Sequence, residues 1–355
     1  MRFRFALAVL PLTLLLSTLT YAQEPTDVIV GSFKDGYGTT LACGTDGVTF
    51  LTQRDRTSHN PIWPVSRVSR DGSIVKFQLP DGLIGQPLLP EGATPLAAAA
   101  DRESDLFILA QYTAMSDDIP EIFHFDNQAN LLTRQRMNFG FHPQEMAVLD
   151  SGNAVIVGMQ DGRDQSDWKN VGVVIDAEGR ALARFKFPLP PEGGGWTFVS
   201  RRMLAWGDAA YVMLYSYDPP TTGLAKISED GQLDIKIVSS PHDTDQRHHT
   251  EWTFGPGVAV EIYHYVSERR TNHYDEYDLN TGQKTVSRYA FISGSPLGCY
   301  GQNDVSMMAH SAHVDPERGL SPDTMLLFFA DLHDQPVSAP VVNLEQATRK
   351  GEQHP

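Results

Sequence analysis

Short apolar runs alternate with polar turns along almost the whole chain, and residues 141–188 show this pattern most clearly. Four β-rich segments follow one another there: Gln144–Leu149, Ala154–Gln160, Val171–Asp176 and Arg180–Phe187. Tight turns rich in Asp, Ser, Gly and Glu join the first segment to the second and the third to the fourth. Such runs, bounded by such residues, are typical of antiparallel hairpins. The stretch therefore predicts a four-stranded antiparallel sheet.

The second hairpin turn of this unit recurs at intervals of about 50 to 57 residues, a repeat length found in propellers. The aligned turn position is occupied by Gly72, Ala129, Gly179, Gly231 and Gly282, and one further step falls near Gln335. One four-stranded unit repeated at a fixed period predicts an all-β fold, a β-propeller with six four-stranded antiparallel blades. No helix-period segment of useful length interrupts the repeats.

The first 22 residues predict a secretory signal peptide. Arg2 and Arg4 form a basic start, Phe5 to Leu19 an apolar core, and a small-residue cleavage site precedes Gln23. We expect one propeller domain over residues 23–342 and a loose tail over 343–355. No later stretch is long and apolar enough to span a bilayer, so no membrane insertion is expected after cleavage. The protein is expected to be exported, either periplasmic or secreted.

The charge narrows the partner classes. The formal net charge is −16, and removal of the two signal-peptide arginines makes the mature chain more acidic. An acidic surface repels phosphate backbones and anionic headgroups, which argues against nucleic acid as the main partner. A protein, peptide or glycan ligand remains, and we expect a monomer.

The chain has two cysteines, Cys43 and Cys299, in matching innermost strands of the predicted blades 1 and 6. An exported protein meets oxidising conditions, which favours a disulfide. The two strands become neighbours only if the ring closes after six blades, so a Cys43–Cys299 bond would fasten the seam. The alternative is two free, buried cysteines that satisfy a need for small residues near the axis. The strand Val28–Phe33 is expected to pair along the last blade as a second latch.

The two sides of the predicted ring differ in loop length. One side, the tight-turn face, carries the first and third turns of each blade, such as Asp46-Gly47 and Asp71-Gly72. The other, the long-loop face, carries longer segments such as Arg54–Pro64 and Asp161–Asn170. Because function concentrates on loops held by a rigid scaffold, we expect the ligand site on the long-loop face.

Candidate site residues on that face lie near the axial mouth or in a loop. They are His142, Glu145, Trp196, His249, Glu251 and Tyr300. His249 and Glu251 are two residues apart, so on a strand they share a face and could ligate a divalent metal or act as a base with its orienting carboxylate. A solvated polar loop explains the same residues without chemistry. Motifs such as Gly-x-Ser-x-Gly and His-Glu-x-x-His are absent.

The repeated strand–turn–strand units VGVVIDAEGRALARF, GLAKISEDGQLDIKI and VSRVSRDGSIVKF resemble NHL-like and TolB-like six-bladed propellers of exported bacterial proteins. Some such propellers are calcium-dependent lactonases with Glu, Asn and Asp at the axial mouth. Glu145 and Glu251 are available here, but no asparagine begins an inner strand, which counts against that chemistry. Fold analogy cannot assign function. Two hypotheses follow: an exported binding module with its ligand on the long-loop face, or a metal-dependent hydrolase or lyase at the axial mouth.

Overall fold

Strands and turns make up the described part of the molecule, and no helix occurs in it. The computed structural model describes residues 28–32, 37–44, 48–54, 63–69, 71–77, 88–90, 92–112, 119–160, 169–191, 195–217, 220–238, 248–265, 272–290, 295–300, 304–310, 321 and 324–331. Within these ranges there is consequently no helix long and apolar enough to cross a membrane.

The structure describes 24 strands in chain order. They are β1 (Val28–Ser32), β2 (Tyr37–Cys43), β3 (Thr49–Arg54), β4 (Trp63–Val68), β5 (Ile74–Phe77), β6 (Ala93–Ala100), β7 (Leu106–Tyr112), β8 (Glu121–Phe125), β9 (Leu131–Arg136), β10 (His142–Val148), β11 (Ala154–Gln160), β12 (Lys169–Ile175), β13 (Ala181–Lys186), β14 (Thr197–Trp206), β15 (Ala209–Tyr217), β16 (Pro220–Ser228), β17 (Leu233–Val238), β18 (His248–Gly255), β19 (Val258–Tyr265), β20 (Asn272–Asp278), β21 (Lys284–Ala290), β22 (Ser295–Tyr300), β23 (Asp304–His310) and β24 (Thr324–Asp331).

These strands form five sheets, and the fold is a β-propeller of four-stranded antiparallel blades. Blade 1 is β2–β5, blade 2 is β6–β9, blade 3 is β10–β13 and blade 4 is β14–β17. The fifth sheet has eight strands in the order β1-β24-β23-β22-β18-β19-β20-β21. Its two halves meet at one parallel residue pair, Phe254 and Cys299. The four-stranded blade is therefore confirmed, while the described sheets number five rather than the six predicted.

The turn alignment is confirmed at every position that the structure describes. The φ angles are 82° at Gly72, 71° at Ala129, 80° at Gly179, 80° at Gly231 and 68° at Gly282. In each turn this residue donates its N–H to a carbonyl three or four positions earlier, as Gly179 does to Asp176 at 2.9 Å. A left-handed residue at this point of a hairpin lets the fourth strand return along the third. The predicted sixth position, Gln335, lies outside the described residues.

Apolar side chains fill the space between neighbouring blades. Phe50 and Phe77 of blade 1 form one cluster with Phe125 of blade 2, and the Phe77 and Phe125 rings meet edge to face with centroids 6.1 Å apart. Equivalent clusters join blades 2 and 3, blades 3 and 4, and blade 4 and the eight-stranded sheet. Middle strands such as β11 are buried on both faces because each blade packs between two others.

The innermost strands meet around the axis. Each contacts the next in the order β2, β6, β10, β14, β18 and β22, and β22 in turn contacts β2. β2, β6, β14 and β18 enclose an axial cavity of only about 20 Å³, room for roughly one water molecule.

The predicted disulfide is confirmed. Cys43 in β2 and Cys299 in β22 are bonded, with their Cα atoms 5.2 Å apart at a sequence separation of 256. The latch is also observed, since β1 pairs antiparallel with β24. β1 thus lies at the outer edge of the eight-stranded sheet, next to β24.

Candidate ligand-binding site

The two predicted site residues of β10 differ in exposure. His142 is exposed at the start of the strand, whereas Glu145 is buried. They lie opposite Met159 and Val157 of β11, with a register irregularity between them. His142 borders a cavity described below, and Glu145 is not among its lining residues.

Trp196 lies immediately before β14 and is buried in the cluster between blades 3 and 4. Its ring packs over Gly223, where an added Cβ would lie 3.2 Å from the nearest ring atom. Its carbonyl accepts a 2.7 Å hydrogen bond from the buried side-chain amide of Asn170, while its own indole N–H has no hydrogen-bond partner among the described residues. Trp196 thus serves the packing of two blades, and its predicted contact with a ligand stays a prediction.

The other three predicted residues are described by their backbone. His249 and Glu251 lie in β18 opposite His264 and Ile262, and Tyr300 lies in β22 opposite Val305. The strand assignment needed for His249 and Glu251 to share a face is therefore observed. Their side chains are outside the description, so the metal site stays a prediction.

A groove opens between blades 2 and 3 at the long-loop ends of their strands. One cavity of about 350 Å³ lies at the link between β9 and β10, and another of about 490 Å³ continues along the outer strands of blade 3. The two cavities share Phe139, Gly140, Phe141 and Gln160 as walls. We call this pair of cavities the blade 2–3 groove. The segment 161–168, which follows Gln160, lies outside the described residues.

The floor of the groove is set by the link between the blades. Met137 donates its backbone N–H to the carbonyl of Pro120 at 2.8 Å, which ties the start of the link to blade 2. Gly140 adopts a φ of 72° and turns the chain into β10. The Phe139 and Phe141 rings lie 5.6 Å apart, the first buried and the second half-buried. The link therefore presents the Phe141 ring, which packs against the buried Phe139.

The walls of the groove carry positive charge. Arg184 and Lys186 of β13 line the second cavity, and both side chains are exposed. The Arg184 guanidinium donates to the carbonyl of Phe139 at 2.8 Å, which orients it along the floor. None of the described residues that line either cavity is acidic, although the chain has 44 Asp and Glu against 28 Lys and Arg.

The tight-turn face carries a hollow of opposite charge. A cavity of about 300 Å³ lies between blades 3 and 4 and is lined by Leu149, Asp150, Ser151, Gly207, Asp208 and Glu229. Glu229 accepts a hydrogen bond from the side chain of Asn153, which joins the two blades at this point. The Glu229 carboxylate thus connects a tight turn of blade 4 to a tight turn of blade 3.

Asp101, Asp105 and His124 of blade 2 have one ligand atom each within 4.8 Å of one another. Burial raises the pKa of Asp101, and the charges of Asp105 and Glu103 add to this effect. Asp105 accepts the backbone N–H of Asn127 at 2.8 Å and pairs with His124 at 3.2 Å. These oxygens and nitrogen could hold a divalent cation. Their hydrogen bonds, however, already account for them, because they connect the turn before β7 to the turn after β8.

Sequence reasoning did not single out Phe139, Arg184 or Lys186. The available signal was a pair of basic residues on an outer strand, beside an aromatic link, in a strongly acidic chain. That signal becomes specific only when the opposite residues on the adjacent strand are known.

The chain is distantly similar to several solved structures. No protein-family model matches the chain, and no curated protein matches it by sequence. A Bacteroides caccae protein of unknown function is 14% identical, with a TM-score of 0.36 over 88% of this chain and 92% of that one. Streptogramin B lyase is 10% identical, with a TM-score of 0.42 over 86% and 97%.

The Pyrococcus horikoshii acylaminoacyl peptidase is 12% identical, with a TM-score of 0.47 over 85% of this chain and 53% of the peptidase. This chain thus spans about half of that enzyme. At these identities and TM-scores no conclusion is drawn from the similarity, and the activities named for these proteins are not carried over.

Proposed function

We propose that this chain is an exported six-bladed propeller that acts as a binding module, with its ligand in the blade 2–3 groove. The observation that carries the proposal is the groove itself: two cavities of about 350 and 490 Å³ that share four wall residues and lie beside exposed cationic side chains. Binding sites are concave, largely apolar and supplied with a few placed polar groups. The groove combines aromatic walls, Phe141 among them, with the polar side chains of Gln160, Arg184 and Lys186.

The six-blade count is supported by the make-up of the eight-stranded sheet. Its halves, β18–β21 and β22–β23–β24–β1, each contain four antiparallel strands, and among the described residues they pair only through Phe254 and Cys299. We interpret them as blades 5 and 6, the sixth being completed by the N-terminal β1. This interpretation agrees with the NHL-like and TolB-like resemblance of the repeats.

Export is supported by the signal-like residues 1–22 and by the Cys43–Cys299 disulfide, since disulfides persist in oxidising compartments. We propose a mature domain from residue 23 to 342, with a protein, peptide or glycan as its partner. Nucleic acid is disfavoured by the acidic charge.

The alternative function, a metal-dependent hydrolase or lyase at the axial mouth, rests on His249 and Glu251. The axial cavity of about 20 Å³ is too small for a substrate, so this activity would need a wider opening beyond the described residues. Elemental analysis of the purified mature protein tests the alternative, which requires one equivalent of bound divalent metal that Glu251→Gln removes.

The binding proposal is tested by filling the groove. Gln160 is exposed and borders both cavities, so Gln160→Trp should obstruct the groove without disturbing the core. Ser151→Trp makes the same addition in the tight-turn hollow and is the matched control. Purified wild type and both variants are applied to arrays of immobilised peptides and glycans. Binding that Gln160→Trp removes and Ser151→Trp preserves supports the proposal; binding lost only with Ser151→Trp, or binding to neither array, contradicts it.

A further inference from the structure

The outermost strands of blades 2 and 3 carry the same side-chain pattern. Each presents an exposed leucine followed by two basic residues at alternate positions. The two sets are Leu132, Arg134 and Arg136 in β9, and Leu182, Arg184 and Lys186 in β13. Alternate residues of a strand share a face, so each set forms one stripe. The same stripe therefore occurs twice, in neighbouring blades.

In blade 2 a buried carboxylate neutralises part of the stripe. Glu121 of β8 lies opposite Arg136, and its oxygens accept from Arg134 Nε at 2.7 Å and Arg136 Nε at 2.9 Å. Arg134 also donates to the Tyr112 hydroxyl at 2.7 Å. Burial would raise the pKa of Glu121, but the hydrogen bonds from both arginines outweigh it and lower the pKa.

In blade 3 the corresponding carboxylate is missing. Val171 lies opposite Lys186, the place that Glu121 has opposite Arg136, and Val173 lies opposite Arg184. Over the described ranges, Arg184 makes one hydrogen bond, to a neutral carbonyl, and no ion pair is formed by it or by Lys186. The positive charge of the blade 3 stripe is therefore not neutralised by a neighbouring carboxylate. Arg184 and Lys186 carry this charge in the wall of the groove.

The same groove offers an extended chain a place to lie. β13 is the last strand in the order of its sheet, and no described strand pairs with its outer edge. A peptide added along such an edge forms backbone hydrogen bonds and directs alternate side chains to one side. The half-buried Phe141, whose ring packs against the buried Phe139, supplies an apolar contact for one of those side chains. Its phenyl ring carries no hydrogen-bonding group with which to read the hydroxyls of a sugar.

We propose that the blade 2–3 groove binds an extended acidic peptide segment, whose carboxylates take the place beside Arg184 and Lys186 that Glu121 takes in blade 2. The inference rests on the binding function proposed above and specifies its ligand class. Arginine is suited to bidentate carboxylate binding. Because the rest of the chain is strongly acidic, an acidic segment is repelled elsewhere on the surface and attracted here, which favours this groove over other contacts.

The experiment is a selection from a random hexapeptide library on the immobilised mature protein, followed by sequencing of the retained peptides. Wild type is compared with Arg184→Glu/Lys186→Glu, which reverses the stripe. The control is Arg102→Glu/Lys76→Glu, which makes the same change of charge at exposed residues outside the groove. We expect at least about threefold enrichment of Asp and Glu with wild type and with the control, and enrichment of Lys and Arg with the stripe reversal.

A second variant supplies the missing carboxylate from within. Val171→Glu reproduces in blade 3 the arrangement of blade 2 and should weaken an acidic hexapeptide at least about tenfold. If near-UV circular dichroism shows that Val171→Glu does not fold, Arg184→Gln/Lys186→Gln serves in its place.

The ligand class is wrong if the retained peptides are not acidic, or if they stay acidic after stripe reversal. It is also wrong if only glycans bind in a manner that Gln160→Trp removes, although the binding function itself would then stand. The binding function falls together with it only if neither peptides nor glycans bind the groove.

Discussion

Blades 2 and 3 use one side-chain pattern for two purposes. In blade 2 the cations of β9 enclose the buried Glu121 and stabilise their own sheet. In blade 3 the cations of β13 face Val171 and Val173, and their charge is left over after folding. A single residue on the adjacent strand thus separates a charge used by the fold from a charge available to a ligand. The difference teaches that, in a repeat protein, a departure from the repeat at one position can mark a site.

The Cys43–Cys299 disulfide links the first and last innermost strands of the ring that contains these blades. Its removal is expected to have the largest effect on the free energy of unfolding. Cys43→Ser/Cys299→Ser should lower the free energy of unfolding by about 3 to 5 kcal/mol, because the disulfide closes a loop of 256 residues in the unfolded chain. Urea denaturation of the variant and of the oxidised wild type measures this. Peptide binding by the folded variant should persist, since blades 2 and 3 do not carry the bond. Equal stability of the two proteins would contradict the role of the disulfide.

Removing the charge of Glu121 should destabilise blade 2 noticeably. We expect Glu121→Gln to cost about 2 kcal/mol, less than for a fully buried ion pair because both arginines are about half exposed. The folded-state pKa of Glu121 lies below its ordinary value of 4.5. Its contribution is therefore present above that value and lost as the pH falls through the folded-state pKa. Stability curves at neutral and acidic pH should converge for wild type and variant; a constant difference at all pH values would refute the ion-pair account.

The turn between the third and fourth strands, the second hairpin turn of each blade, is expected to have a smaller effect on stability. Ala129 of blade 2 and Gly179 of blade 3 both have positive φ, which costs a residue with a Cβ about 1 kcal/mol. Ala129→Gly should therefore raise the free energy of unfolding by about 0.5 kcal/mol. Gly179→Ala should lower it by at least about 1 kcal/mol, since the new Cβ would also meet the side-chain amide of Gln135. Thermal unfolding of both variants checks the signs, and equal signs would contradict the turn assignment.

The smallest effect on stability is expected in the groove. Arg184→Ala/Lys186→Ala should change the free energy of unfolding by less than about 0.5 kcal/mol, because neither cation has an ion-pair partner to lose in the described structure. The same denaturation experiment applies, with Glu121→Gln as the contrasting variant. A loss comparable to that of Glu121→Gln would mean that the fold uses both stripes.

The repeat and its turns could be predicted from sequence because they depend on local chemistry. The residue with positive φ lies within a few positions of an Asp or Asn in each of these turns, so the turn can be recognised from a short segment. The repeat period alone identifies Ala129 as the equivalent position in blade 2. The Cys43–Cys299 bond followed from the same count. The bounds of β14, Thr197–Trp206, depend instead on its pairing with β15, whose register is irregular between Phe198 and Met203.

The groove could not be predicted because it depends on register and packing between blades. The sequence around Arg184 does not indicate which residue of β12 lies beside the stripe. The strand register places Val171 there, where blade 2 has a carboxylate. Trp196 is predicted to contact a ligand because it is a tryptophan in a loop. Its side chain is instead buried between blades 3 and 4. His249 and Glu251 were nominated by their spacing, and this spacing alone fixes neither neighbours nor a ligand.

The most direct test of the central claim is hydrogen–deuterium exchange of the mature protein with and without the most enriched acidic hexapeptide. The account predicts slower exchange in residues 138–142 and 182–186, which form the floor and the cationic wall of the groove, and unchanged exchange at the tight turns 150–152 and 207–208. Protection confined to those tight turns, with residues 138–142 and 182–186 unaffected, would contradict it.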